Sequence, residues 1–350
     1  MDAKKKLFQT LLALPILTFF STYVMAQSGF GMAENKNEKR VDILFNGKPF
    51  TSYIYPDDLM KPVLYPLRTR RGTLITRGWP LEPRPSERVD HPHHVGLWLN
   101  YGNVNGLDFW NNSTAIPTDK KKNYGTIKHV SVNKMESNKD RAVLQVTKNW
   151  QTPEGNTILR ENTQYLFTER GSLRQIEIST KLTATDQDVS FEDNKEGLIG
   201  IRLARELEHP SDKPEIFTDA SGNPTQVAEM NNERVTGKYR SSEGIEGDNV
   251  WGTRGKWVNL MGRIENEPIS LVILDHPKNV GYPTYWHARG YGLFAANPLG
   301  QKEFSKGKET LNFKLKAGQS VEFKYRILIS SGETMSDQQI NKEFESFSNK

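Results

Sequence analysis

The sequence of 350 residues contains no cysteine. This absence excludes disulfides, thiol nucleophiles, iron–sulfur clusters and cysteine-ligated zinc together. It also removes the residue that a lipoprotein needs for its lipid anchor. The fold must therefore be held by its apolar core, which is feasible because a domain of about 300 residues buries roughly three-quarters of its unfolded surface.

Long apolar runs are absent after the N-terminal segment. Three lysines at 4–6 precede an apolar stretch over residues 7–25, and Val24 and Ala26 stand at the positions that a signal peptidase reads. We expect residues 1–26 to be a signal peptide, cleaved before Gln27, and the protein to be periplasmic or secreted without membrane contact after cleavage. An uncleaved membrane anchor is the alternative.

An excess of charge of one sign is also absent. The chain has 47 Lys and Arg against 42 Asp and Glu, for a net charge of +5, and the two signs are interspersed. After residue 26, the only tight basic run, residues 120–122, is typical of a solvated loop. We therefore expect no nucleic-acid partner.

Helical periodicity is scarce, whereas short alternating segments recur. Residues 41–45 lead into Asn46-Gly47, a hairpin signal, and residues 311–315 and 321–325 alternate around 317–319, which predicts another hairpin. Only 336–347 has helical spacing, with Ser336 as its cap. The sequence predicts an all-β fold: a linker over 27–40, a single large antiparallel β-sandwich over 41–335, and a short C-terminal helix and tail over 336–350.

Five of the seven histidines fall in two short, aromatic-rich blocks, residues 91–98 and 275–287. Pro92 cannot donate to a sheet, so His91, His93 and His94 should stand at a strand entrance or edge. Three interpretations stay open. The imidazoles bind a divalent metal ion, one of them performs acid–base catalysis beside a carboxylate such as Asp90, or they are histidines satisfied at a buried edge.

Glu196 is a candidate carboxylate partner for a histidine, because Gly197 after it permits close backbone approach. Tyr285, His287 and Arg289 should share one face of a strand, and that face is both polar and aromatic. An ordinary charged turn is the alternative for Glu196. The predicted catalytic residues are His93, His94, Glu196 and His287.

Aromatic residues stand beside amide and carboxylate groups in residues 98–110 and again in residues 251–257. Flat rings next to hydrogen-bonding groups suit a sugar, which has apolar C–H faces and a polar rim, although a core aromatic cluster has the same composition. The predicted substrate-binding residues are Trp98, Asn105, Asp108, Trp110, Arg202, Arg254 and Tyr285.

Eight blocks carry a resemblance that spans most of the chain after residue 26. They are His91-Pro92-His93-His94, Gly96-Leu97-Trp98, Asn105-Gly106-Leu107-Asp108-Phe109-Trp110, Lys195-Glu196-Gly197, Trp251-Gly252-Thr253-Arg254, Asp275-His276-Pro277, Tyr285-Trp286-His287 and Phe294-Ala295-Ala296-Asn297-Pro298. In this order they resemble a family of exported bacterial proteins labelled methane oxygenase PmoA-like. Many relatives have a basic residue at the position of Val95. If that residue binds an anion in the relatives, we expect this protein to take a different substrate.

The resemblance implies a large β-sandwich of the galactose-mutarotase-like supersandwich type and an association with sugar catabolism. It does not lead us to expect methane oxidation, because a particulate methane oxygenase subunit is a membrane protein and this chain has no spanning segment after its predicted signal. Fold analogy gives little information about activity.

The leading hypothesis is an exported carbohydrate-active protein that performs acid–base chemistry on a saccharide, as a lyase, epimerase or hydrolase. The first alternative is a non-catalytic saccharide-binding module. The second is a metal-dependent enzyme or oxygenase, in which a divalent ion is held by His91, His93, His94 and His287. No other cofactor is indicated by the sequence.

Overall fold

The computed structural model describes residues 28–229 and 231–349. The predicted signal peptide, residues 1–26, lies outside these residues. Within them, no helix has the length and apolarity needed to cross a membrane.

The strands are numbered in chain order. They are β1 Phe30–Asn35, β2 Arg40–Phe45, β3 Lys48–Ile54, β4 Val63–Leu64, β5 Leu97–Tyr101, β6 Thr126–Ser137, β7 Arg141–Gln151, β8 Thr157–Arg170, β9 Leu173–Ala184, β10 Val189–Phe191, β11 Gly197–Arg202, β12 Glu215–Thr218, β13 Pro224–Val227, β14 Lys238–Ser241, β15 Trp257–Ile264, β16 Glu267–Asp275, β17 Tyr285–Arg289, β18 Leu293–Asn297, β19 Phe313–Leu315 and β20 Ser320–Ser331. The α-helices are α1 Gln301–Phe304 and α2 Asp337–Ser348, and the 3-10 helices are Thr118–Asn123, Arg205–Leu207 and Gly247–Val250.

Two eight-stranded antiparallel sheets form the body of the protein. The first sheet has the order β1-β2-β3-β4-β5-β11-β18-β17, and the second has the order β14-β15-β16-β20-β9-β8-β7-β6. Their facing side chains, such as Ile199 and Phe294 from the first sheet and Ile176 and Ile273 from the second, belong to one buried cluster, which we call the main core. The prediction of an all-β antiparallel sandwich is confirmed.

Helix α2 covers the outer face of the second sheet. The Ser336 hydroxyl accepts a hydrogen bond from the Gln339 amide, and the Gln339 side chain accepts one from the Ser336 amide, so both form a capping box. Ile340, Phe344 and Phe347 are buried against that sheet in a cluster separate from the main core. The predicted C-terminal helix and its cap are confirmed.

The expected linker over residues 27–40 is wrong. Phe30–Asn35 form β1, which pairs antiparallel with β2 through a turn at residues 36–39. Phe30 is buried, and its ring lies 4.7 Å from that of Phe45. The charged residues after Asn35 form the turn, while the apolar residues before it add an edge strand.

The expected hairpin between residues 311–315 and 321–325 is also wrong. Strand β19 pairs with β10, and β20 pairs with β16 and β9. The Gly318 amide between them bonds the carbonyls of Ala184 and Thr185, so the turn is anchored to the end of β9. The alternation predicted both strands but could not choose their partners. The Asn46-Gly47 hairpin of β2 and β3 is confirmed, with both turn residues at positive φ.

Candidate active site

A row of four residues crosses the face of the first sheet that is turned away from the main core. His287 on β17 is opposite Ala295, Ala295 is opposite Gly200, and Gly200 is opposite Trp98 on β5. Their strand neighbours, such as Trp286, belong to the main core. The two middle residues are small, so they leave a shallow groove between His287 and Trp98. The backbones of these two residues are about 14 Å apart, which is three strand spacings.

His287 is held with one nitrogen free for chemistry. Its Nδ1 lies 2.9 Å from the carbonyl oxygen of Lys195. A carbonyl only accepts hydrogen bonds, so Nδ1 carries the proton and Nε2 keeps its lone pair. Burial lowers the pKa of His287 to about 3, and the positive charge of Lys195 acts in the same direction. The ring is therefore neutral at pH 7.

Glu196 stands directly beside this imidazole. Its Oε2 lies 3.7 Å from Nδ1 of His287, and its Oε1 pairs with the Lys195 ammonium. The approach depends on two glycines, as a Cβ on Gly102 would lie 2.8 Å from the Glu196 Cβ and one on Gly197 would lie 2.4 Å from the Tyr101 ring. The structure thus brings together Glu196 and His287, two of the four predicted catalytic residues.

The histidine triplet occupies the turn that enters β5, as Pro92 predicts. The rings stack in sequence: His91 on His94 at 4.8 Å with an interplanar angle of 4°, and His94 on Trp98 at 5.2 Å. Tyr291 stacks on His91 at 5.2 Å. His94 and Trp98 are buried at one end of this column, whereas the His91 side chain is 41% exposed at the other. His93 packs edge-on against His94 at 4.3 Å.

Asp90 ties the column to two buried guanidinium groups. Its Oδ1 accepts from Arg77 at 2.7 Å and from Arg202, while its Oδ2 accepts from His91 Nδ1 at 2.7 Å. Burial raises the pKa of the Asp90 carboxyl, but Arg202, the His91 hydrogen bond and Arg77 outweigh it and hold that pKa well below its usual range. Arg77 also donates to the carbonyls of His91 and His94 at 3.0 and 3.1 Å.

His94 has the opposite tautomer to His287. Arg202 Nη1 lies 3.3 Å from His94 Nδ1, and a guanidinium only donates, so Nδ1 accepts and Nε2 carries the proton. Burial lowers the pKa of His94 well below its ordinary value, with the charges of His93 and Arg202 acting in the same direction. His94 is therefore a neutral, buried ring, and its Nε2 has no hydrogen-bond partner within the described part of the chain.

Replacing Asp90 with asparagine should destabilise the protein strongly. The change leaves Arg77 and Arg202 buried without their anion, and breaking a buried ion pair in this way costs about 3–5 kcal/mol. Urea unfolding monitored by tryptophan fluorescence measures the loss. Asp188→Asn, at an exposed pair with Lys316, is the control and should leave the midpoint unchanged. Equal midpoints for both variants and the native chain would contradict the expected role of Asp90.

An aromatic rim continues from His287 toward solvent. The Phe304 ring on α1 lies 6.2 Å from His287, 5.2 Å from Tyr285 in a stacked pair, and 5.8 Å from Trp251. Trp251 is 41% exposed, and the guanidinium of Arg289 lies 5.2 Å from its ring centroid. Trp251, Arg289 and Tyr291 line a cavity of about 580 Å³.

Arg254, predicted to bind substrate, is largely engaged within the protein. Its Nε and Nη2 donate to the carbonyls of Pro283 and Gly281 at 2.8 and 3.0 Å, and its guanidinium lies 5.0 Å from the Tyr285 ring centroid. Arg254 thus supports the loop that enters β17 and the ring at its start. A role in contacting substrate stays a prediction.

Other predicted residues lie in structural settings. The Asn105 amide accepts from the Ser190 backbone at 2.7 Å and donates to the Asp188 carbonyl at 3.1 Å. Asp108 Oδ1 accepts from the backbone amides of Trp110 and Asn111, both at 2.9 Å. Each of these contacts fixes a turn, and their predicted binding roles stay predictions.

The two indoles predicted to bind sugar are buried beneath the histidine column. A Cβ on Gly200 would lie 2.6 Å from the Trp98 ring and 3.0 Å from the Trp110 ring, so both indoles cover this glycine. His276, from the second histidine block, directly follows β16 of the second sheet, and its ring packs against that of Phe347 at 4.9 Å. The block is therefore split, and only its His287 part reaches this site.

The predicted metal ligands do not form a metal-binding group. In residues 28–229 and 231–349, no three His, Asp or Glu side chains are arranged to hold a metal ion. His91, His93 and His94 contact one another ring to ring, and Nδ1 of His91 and of His94 are engaged by Asp90 and Arg202. The side chains present do not fit a divalent ion in this arrangement.

Sequence reasoning missed several residues of the site. Phe304 lies in a four-residue helix without a motif, and Tyr291 and Arg77 carry no spacing signal. Trp251 lies in the aromatic segment 251–257 but is not among the predicted substrate-binding residues. The alternation of residues 285–289 did carry a signal, because it placed Arg289 on the His287 face.

One family profile, described as "Family of unknown function (DUF6807)", matches residues 40–345. No curated protein matches the chain. These matches do not test the resemblance to PmoA-like proteins, which stays a prediction.

Similar solved structures include three sugar-related proteins. The chain is 13% identical to α-galactosidase AgaA from Geobacillus stearothermophilus, with a TM-score of 0.36, covering 83% of this chain and 40% of that one. It is 13% identical to a galactose mutarotase-like protein from Clostridium acetobutylicum, with a TM-score of 0.41, covering 87% and 99%. It is 9% identical to galactose 1-epimerase from Lactobacillus acidophilus, with a TM-score of 0.36, covering 88% and 100%. The chain thus spans about two fifths of the length of the α-galactosidases it matches.

Proposed function

This chain belongs to DUF6807, a family of unknown function, and from its site we propose that it is a carbohydrate-active protein performing acid–base chemistry on a saccharide. The observation that carries the proposal is the fixed tautomer of His287. Its protonated Nδ1 is bound to the Lys195 carbonyl, so an unprotonated Nε2 that keeps its lone pair remains on a buried ring beside a carboxylate. Such a nitrogen can accept a proton from a sugar hydroxyl or C–H group.

A second imidazole supplies the complementary role. His91 donates Nδ1–H to the Asp90 carboxylate, and this contact orients the ring so that its Nε2 can exchange a proton with a leaving or ring oxygen. Two imidazoles held by a carbonyl and a carboxylate respectively are suited to opposite directions of proton transfer.

The surroundings suit a saccharide. Trp251 offers an exposed indole face for the apolar side of a sugar ring, and Arg289 and Tyr291 offer donors for its hydroxyls. The cavity of about 580 Å³ that they line is large enough for one or two sugar units. Tyr291 connects this cavity to the catalytic groups, because the same ring stacks on His91.

The roles of the remaining predicted residues follow from their placement. We propose that His94, with Arg202, positions His91 from below, and that Trp98 and Trp110 form the floor of the column. Tyr285 and Arg254 support the rim around Phe304. A lyase, an epimerase and a hydrolase can each use such a proton-transfer pair. Identification of the product therefore distinguishes the three reaction types.

A saccharide screen tests the proposal. Native protein is incubated with neutral and acidic mono- and oligosaccharides, and conversion is followed by NMR while binding is followed by thermal shift. Catalytic conversion of at least one saccharide supports the enzyme hypothesis. Binding without conversion indicates the saccharide-binding module instead, and the absence of both refutes the proposal.

We also propose that the protein acts outside the cytoplasm, as the N-terminal sequence predicts. Expression of the full chain in a Gram-negative host, followed by intact-mass analysis of the periplasmic fraction, should give a species beginning at Gln27. A variant with Ala26→Asp should retain the leader, because the cleavage position no longer has a small residue. A native species that keeps residues 1–26 would contradict cleavage.

A further inference from the structure

Almost every buried cation in the described part of the chain has a carboxylate partner. Buried lysine and arginine are otherwise rare, because an unpaired charge away from water is costly. The paired residues are Arg77 with Asp90, Arg88 and Arg205 with Glu208, Lys148 with Glu161, Arg174 with Glu169, Arg202 with Asp90, and Arg326 with Glu177.

Lys61 is the exception among residues 28–229 and 231–349. It is 4% exposed and forms no ion pair with a described carboxylate. Its ammonium donates to the His93 carbonyl at 2.7 Å and lies 5.4 Å from the Trp98 ring centroid. Burial lowers the pKa of Lys61 to about 7, although the negative charge of Asp108 acts in the opposite direction. Lys148 shows the contrast, since its equally buried ammonium is satisfied by Glu161.

A cavity of about 590 Å³ lies beside this lysine. Lys61 and His93 line it together with apolar side chains, among them Trp79 and Leu81, and with Ser113. Lys61 is the only cation of its lining, and the only acid is Asp58, which is exposed. The cavity therefore joins a buried lysine without a carboxylate partner among the described residues to walls that are largely apolar.

We propose that this cavity binds a ligand carrying a carboxylate, and that Lys61 supplies its counter-charge. In its ammonium form, Nζ has three protons. One is donated to the His93 carbonyl, so two remain for the two carboxylate oxygens of a ligand. One cation with an acid near the rim matches a monoanion and disfavours a phosphate dianion. The ligand class that joins this site to the proposed function is an acidic sugar such as a uronate. The sugar part of this inference rests on the proposed function, and the carboxylate part rests on Lys61.

Calorimetric titration of the full chain tests the site. D-glucuronate should bind, and D-glucose, its neutral counterpart, should bind at least about tenfold more weakly, because a charge-assisted hydrogen bond is lost. Lys61→Gln should weaken glucuronate binding by a similar factor. Lys120→Gln, at an exposed lysine of the 3-10 helix Thr118–Asn123, should leave it within about twofold. Lys61→Met keeps the length of the side chain without its charge and should fold at least as stably as the native chain.

Other ligands separate the remaining outcomes. Equal affinity for glucose and glucuronate, or equal affinity of the Lys61→Gln and native chains, overturns the proposal. Lys61-dependent binding of D-glucose 6-sulfate without binding of carboxylates overturns it in favour of a sulfate ester. Lys61-dependent binding of benzoate but not of glucuronate upholds the carboxylate site and overturns its sugar part. Glucuronate binding that survives in His287→Asn shows that the site stands independently of the catalytic proposal.

Discussion

Replacing His287 with asparagine should lower kcat on the saccharide identified by the screen by about 10²–10⁴-fold, the range that one general base contributes. Asparagine offers an N–H group near the position of Nδ1, so the hydrogen bond to the Lys195 carbonyl is retained while the basic nitrogen is lost. Steady-state kinetics measure the effect, and KM should change little because the variant removes a proton acceptor.

The matched control is His287→Ala. It loses the same base and also leaves the Lys195 carbonyl unsatisfied, which costs about 1–3 kcal/mol. Both variants should therefore lack turnover, but only the alanine variant should unfold at a lower urea midpoint. Full turnover in the asparagine variant, or a loss of activity that follows the loss of stability, would make His287 a structural residue.

Acidification should begin to destabilise this protein below about pH 6.5, which is above the pH at which free carboxylates become protonated. Burial lowers the pKa of His93 to about 2 and that of His287 to about 3, and the pKa of His94 is also well below its ordinary value. In the unfolded chain each titrates near pH 6.5. Below that pH the unfolded state binds more protons, so the free energy of unfolding falls by about 1.4 kcal/mol per pH unit for each ring, or about 4 for the three.

One carboxyl acts in the opposite direction. Burial raises the pKa of Asp275 to about 7, whereas a free aspartate titrates near 3.9. Between those values the folded state holds an extra proton at Asp275, and its stabilising effect is lost as the pH rises through 7. Together, the three rings and Asp275 contribute a slope of about 3 kcal/mol per pH unit between about pH 4 and pH 6.5, which is large against a total stability of about 5–15 kcal/mol.

Urea midpoints recorded at intervals from pH 7.5 to 5 measure this slope. His93→Gln removes one of the three titrations and should reduce the slope by about 1.4 kcal/mol per pH unit. Lys120→Gln is a control that leaves all imidazoles in place. A midpoint that stays constant from pH 7 to pH 5 would show that the three rings are not held neutral in the folded state.

The strands could be predicted from the sequence better than their pairing. Alternation in residues 311–315 and 321–325 reports which residues face a core, which is a local property. The partner of β19 and one of the two partners of β20 lie more than one hundred residues away, as in the pairing of Phe313 with Phe191. Phe30 was missed for a related reason, since a short apolar stretch between a predicted leader and a charged turn has too few residues to show a period.

The site residues also divide into those that local sequence patterns predicted and those that depend on distant contacts. Pro92 indicated the strand entrance, and a period of two placed His287 and Arg289 on one face, so both elements followed from local rules. The burial of Trp98 did not, because an aromatic-rich segment looks alike whether its rings face a ligand or a neighbour. Lys61 carries no sequence signal, since its lack of an ion pair is apparent only in the structure, where every other buried cation among the described residues has a carboxylate partner.

Arg77 donates hydrogen bonds to three points of one turn, and this should affect the kinetics of ligand binding. Its guanidinium is buried and bonds the Asp90 carboxylate and the carbonyls of His91 and His94 together. The stacked imidazoles are therefore already in place before a ligand binds, so little conformational entropy is lost on binding. Association should accordingly follow a single concentration-dependent phase in stopped-flow traces, without a slower isomerisation step after it.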